Sequence, residues 1–158
     1  MRKRSKYRQK PVLQDPVNYV LTGIKPVLKV APGHHAAISI KANDAIGTIR
    51  RGQGRGEDTR ALIACFNMAE AFCRLGLGAQ YLQDIEDGHA AVEAIVIRAK
   101  QTGGRMVAAG TELQALVRAV AVHDAQIDAP ACTVILMEQA IELVAKEHRA
   151  GRVRLVRW

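Results

Sequence analysis

EDTRALIACFNMAEAFCRLGLG, residues 57–78, is the stretch that decides the fold. Leu62, Ile63, Phe66, Ala69, Phe72 and Cys73 recur at steps of three and four, the repeat of one face of an α-helix. Glu57 or Asp58 opens this helix, and Gly76 and Gly78 close it. It is the most apolar helical segment of the chain and therefore the expected core element.

The same period recurs on either side. Towards the N-terminus, Ile38, Ala42, Ala45, Ile46 and Ile49 predict a helix from about His35 to Arg51 that ends in RRGQGRG. Towards the C-terminus, a third helix starts near Ala79, presents Tyr81, Leu82, Ile85, His89, Val92, Val96 and Ala99, and stops at Gly103 and Gly104. Gly88 marks a point for a kink within it. Residues 105–109 read as a strand or a plain link. Thr111 with Gln114 three residues on has the capping-box pattern and starts a fourth helix carrying Leu113, Leu116, Val117, Val120, Asp124 and Ile127. Pro130 interrupts. A fifth helix from Cys132 or Thr133 turns Val134, Met137, Ala140, Ile141, Val144 and Ala145 inward and ends at Gly151.

The expectation is an all-α protein, a compact bundle of about five helices over residues 34–151. A basic arm and a proline-punctuated strap occupy residues 1–33, and an arginine-rich tail occupies residues 152–158. The length of 158 residues suits one domain. Alanine occurs 25 times against six aromatic residues, which favours helices over sandwiches or barrels. So few aromatics also exclude binding surfaces that work by stacking bases on aromatic platforms.

Charge is distributed unevenly. Residues 1–56 carry a net +10, residues 57–147 a net −6, and residues 148–158 a net +4, within an overall +8. Basic ends on a mildly acidic body are the pattern of segments that contact a polyanion. The arm supplies Arg2, Lys3, Arg4, Lys6, Arg8 and Lys10. The Gly/Arg loop supplies Arg50, Arg51 and Arg55, with glycines at every second position that let the backbone approach a charged surface. The tail adds Arg152, Arg154 and Arg157. The loop is not a phosphate-binding Walker loop, because no Lys-Ser or Lys-Thr follows, and not a dinucleotide fingerprint, because a helix precedes it. No helix-turn-helix signature is found around residues 60–80, so binding is expected to follow the phosphate backbone rather than base sequence.

Other chemistries find little purchase. His123-Asp124 with His89 upstream suggests a metal-dependent hydrolase of the HD type, but the later acid, Asp128, lies one turn along the same helix. His123 then reads as an ordinary polar position, with Asp124 and Asp128 meeting arginines or solvent. His34 and His35 are adjacent and point apart, which suits helix initiation better than metal binding. His148 sits where the helix dipole favours a cation. Only two serines are present and neither has a nucleophile's surroundings. Cys65, Cys73 and Cys132 lie among apolar positions without C-x-x-C spacing, as buried thiols of a reducing compartment do. No membrane span and no leader-like apolar stretch is seen, and a cytoplasmic location is expected. Neither a catalytic residue, a bound metal nor a cofactor is expected.

The opening MRKRSKYRQKPV, Asn18-Tyr19-Val20 and Gly23-Ile24-Lys25-Pro26-Val27 resemble the start of small basic proteins encoded in phages and prophages of proteobacteria. The resemblance extends through Asn43-Asp44-Ala45, Asn67-Met68-Ala69-Glu70-Ala71 and His123-Asp124-Ala125-Gln126 to Glu138-Gln139-Ala140. That family has no assigned activity, so the resemblance transfers no site residue. It implies an accessory protein of phage type, and with the charge layout the expectation is a non-catalytic protein working in the cytoplasm of a bacterial host. The expected partner is nucleic acid or a nucleoprotein complex, with a homo-oligomer as a further possibility. The alternative is a protein-directed inhibitor of a host defence, akin to an anti-CRISPR, or another host-takeover factor.

Overall fold

The computed structural model describes residues 32–154. The basic arm, most of the strap and Arg157 lie outside the described residues. Five α-helices form the described body: α1 Pro32–Arg50, α2 Gly56–Arg74, α3 Leu82–Gln101, α4 Gly110–Asp128 and α5 Val134–Arg149, with a short 3-10 turn at Ala79–Tyr81. The all-α reading holds, and the helix limits fall within a few residues of those the periodicity predicts. α1 starts at Pro32, a residue whose fixed φ and missing N–H suit the first helical position.

α2 is central and packs against all four other helices. Leu62, Cys65, Phe66, Ala69 and Phe72 are completely buried. Burial of a side chain the size of Phe66 contributes about 2–3 kcal/mol. The main core joins α1 to α4 through Ile49, Leu62, Phe66, Val92, Ile95 and Leu116. A smaller cluster, built on Phe72, Cys132 and Ala140, fastens α5 to the second half of α2. At the end of α2, Gly76 adopts φ +92° and the Leu77 N–H donates to the Phe72 carbonyl at 2.9 Å, closing the helix through the left-handed turn that glycine permits.

Gly88 does not interrupt its helix, which runs on from Leu82 to Gln101. Two local expectations are corrected. The fourth helix is not capped by Thr111 and Gln114. Its start is set by Glu112, which accepts from the Ala109 N–H at 2.6 Å while pairing with the Arg98 guanidinium from α3, so a tertiary contact moves the cap two residues back. The fifth helix does not turn Ile141 and Ala145 inward. α5 packs mainly on α2, so only a narrow stripe centred on Ala140 is covered, and Ile141 is 53% exposed.

The helices alternate in direction. Arg98 at the end of α3 meets Glu112 at the start of α4, and Arg118 of α4 meets Asp84 near the start of α3 at 3.2 Å. The α1–α2 loop touches the α3–α4 connection through an antiparallel bridge between Gly54 and Met106. The ends of α1 and α3 and the starts of α2 and α4 therefore share one end of the bundle.

Candidate nucleic-acid interface

At that shared end the Gly/Arg loop closes α1. Gly52 donates to the Ile49 carbonyl and Gln53 to the Thr48 carbonyl, both at 2.9 Å. Gly52 has φ +71°, and the Arg105 guanidinium stands 3.4 Å from where its Cβ would lie. It is this left-handed backbone, more than the space beside Arg105, that favours glycine at position 52. Two residues on, Gly54 pairs with Met106, whose side chain is buried beneath the loop. A Cβ on Gly54 would be 2.7 Å from Ile49 Cγ1 and 3.1 Å from Met106 Cβ, so the close approach of the two connections depends on this glycine. Residues 105–109 form neither a full strand nor a mere link: one bridge ties them to the loop.

Arg105 thereby joins Arg50, Arg51 and Arg55, and all four are exposed. Sequence reading left Arg105 in the acidic body because it lies 50 residues beyond Arg55. The short non-helical run after Gly104 is the local signal for a segment that docks on another connection. Arg55 holds the first turn of α2 through its N–H, which donates to Asp58 at 2.7 Å, and its guanidinium is 3.9 Å from Glu57. Arg51 reaches the Gln53 side-chain oxygen at 3.4 Å. Among the described residues no carboxylate lies within ion-pair distance of Arg50, Arg51 or Arg105, so these cations face solvent. A guanidinium in that setting offers planar, forked donors to phosphate oxygens.

The tail is placed elsewhere. Asn67, about 16 Å along α2 from Gly56, donates to the Arg154 carbonyl at 3.3 Å. Arg152 makes a two-pronged ion pair with Glu147 at 2.6 and 3.0 Å, which holds the Glu147 carboxyl below its usual range. Arg152 and Arg154 thus lie along the flank of α2 rather than with the loop arginines. The six cations of the arm and Arg157 fall outside the described residues.

The histidine readings change. His123 is fully buried rather than an ordinary polar position, with Nδ1 3.2 Å from Asp124. His89 is also buried, edge-on to Phe66 with ring centroids 5.5 Å apart, and its Nε2 is 3.7 Å from Glu70. Burial, with the Arg154 charge adding to it, lowers the His89 pKa to about 4. Among the described residues no three His, Cys, Asp or Glu side chains gather as metal donors. The three cysteines are buried, as expected, and burial pushes the Cys65 thiol up to about 12, far from a reactive thiolate. No helix among the described residues is long and apolar enough to cross a membrane.

No protein-family model, curated protein or solved structure matches the chain.

Proposed function

We propose that this is a non-catalytic accessory protein of phage type that binds nucleic acid, or a nucleoprotein complex, through phosphate contacts. The observation that carries the reading is the Gly54–Met106 bridge, which adds Arg105 to Arg50, Arg51 and Arg55 on one exposed end of the bundle. The basic arm, Arg154 and Arg157 would extend the contact, whereas the Arg152 guanidinium is taken up by Glu147. Exposed arginines on a rigid body favour electrostatic docking with little base reading. A protein-directed inhibitor of a host factor is the second reading, favoured by the open apolar groove between α2 and α5.

The test is an anisotropy titration of the full chain with generic duplex and single-stranded oligonucleotides at two salt concentrations. Binding that weakens steeply with salt supports the reading, and deletion of residues 1–10 should lower both affinity and salt slope. No binding even at low salt removes it. A partner captured from host lysate after nuclease treatment, with no oligonucleotide binding, favours the second reading.

A further inference from the structure

α5 is the least covered helix of the described body, since of its sixteen residues only Ala140 is buried. It lies beside an apolar groove of about 720 Å³ that includes Ile63, Met68, Val144 and Ala145, with Ile141 standing half-exposed at its edge. Arg60 and Arg149, with His148 beside them, make one mouth of the groove cationic through their guanidinium groups. The exposed side of α5 carries its own complement. Glu142 and Arg149 are seven residues apart, two helical turns or about 10 Å, and both are exposed.

We infer that this face pairs two copies of the chain about a two-fold axis, with α5 antiparallel to its mate. An axis passing between Ala145 and Lys146 sets Glu142 of each copy opposite Arg149 of the other. The same axis brings each Ile141 opposite Ala150 of the other copy, at the end of the neighbouring groove lined by His148 and Val153. A parallel pairing would instead set Arg149 against Arg149, and like charges in register repel. Two-fold contact of one patch with itself closes the assembly at two, as self-complementary surfaces do. An apolar centre with a charged rim is the composition of a protein interface rather than of ordinary surface. This pairing is independent of nucleic-acid binding, because the arginine loop is not part of the face.

The test is the solution mass of nuclease-treated full-length protein by light scattering, up to roughly 100 μM, where a complex of ~10 μM affinity is mostly assembled. The expected mass is twice the 17.2 kDa of one chain. I141D should return it to a single chain while circular dichroism stays unchanged, because Ile141 lies outside the core. E142R and R149E should each weaken the dimer at least tenfold, and the E142R/R149E double variant should recover it. A wild-type protein that stays monomeric overturns the inference, as it would if a segment of its own chain filled the groove. So does a dimer indifferent to all three substitutions.

Discussion

Gly88 of α3 lies so close to Ala119 of α4 that a Cβ built on the glycine would stand 2.5 Å from the Ala119 methyl, and 3.1 Å from the Phe66 ring. The two helices approach here more closely than any side chain on residue 88 would allow. Alanine inside a helix is ordinarily favoured over glycine by about 1 kcal/mol. Here the added methyl meets a backbone-anchored methyl that cannot swing aside. G88A is therefore expected to destabilise the fold by about 1–3 kcal/mol, the usual result of overpacking. Urea unfolding measures it, and G88A/A119G should recover part of the loss by returning the missing space to the opposite helix.

The same dependence on absent side chains governs the arginine cluster. G54V would drive a branched side chain against Ile49 and Met106 and separate the two connections. Nucleic-acid affinity should then fall about as far as in R105A, although Gly54 itself offers no charge. If Arg105 neutralises one phosphate on duplex DNA, R105A should also reduce the log–log salt slope by about 0.9. R118A, whose guanidinium is occupied by Asp84 and Asp87, should leave the titration unchanged. Equal binding by wild type and R105A would remove Arg105 from the contact.

His89 makes stability depend on pH in a defined window. Its folded pKa of about 4 lies below the ordinary 6.5, so the unfolded chain takes up the proton first as the solution is acidified. Stability is then complete above the ordinary value and declines as pH falls towards the folded one. From about pH 7.5 to about pH 5 the loss from this residue is about 2 kcal/mol. H89L should remove most of that slope, at some loss of stability near neutral pH from altered packing on Phe66. Glu112 acts in a separate window. Burial alone would raise its pKa, but the hydrogen bonds from Arg98 and the Ala109 N–H outweigh this and hold it low, so its contribution is lost only below about 4.5.

The helices were legible because each buries a stripe wide enough to fix its period, as Leu62, Phe66 and Ala69 do in α2. Legibility failed where the deciding partner is distant in the chain. Thr111 and Gln114 satisfied a local capping rule, but Arg98 made Glu112 the better residue to turn back on the helix start. Gly88 signalled weakness in one helix considered alone, whereas Ala119 and Phe66 occupy the space its side chain would need. Half the arginine cluster's logic was visible in RRGQGRG. Arg105 was not, because a single bridge between two loops leaves no periodic trace. α5 erred in the opposite direction: its period was right, but the apolar stripe is broader than the single neighbour it packs against, and Ile141 was left over.

Gln126 provides the last case of a polar residue whose value depends on its distant partners. It is buried in α4, and its side-chain amide donates to the Leu77 carbonyl at 2.9 Å and the Ala69 carbonyl at 3.1 Å, with the Cys73 sulfur at 3.2 Å. One amide group thus ties the end of α4 to the closing turn of α2. Gln126→Met keeps length and volume but removes the donor. The Ala69 carbonyl, already part of the α2 ladder, tolerates this better than Leu77, whose carbonyl lies in the turn. The substitution should cost about 1 kcal/mol, the usual net worth of such a hydrogen bond, since the Leu77 carbonyl is only part-buried. Hydrogen exchange locates the effect: protection should fall around residues 75–78 more than in the centre of α2. A uniform loss across all helices would instead make Gln126 a general packing residue rather than the tie for that turn.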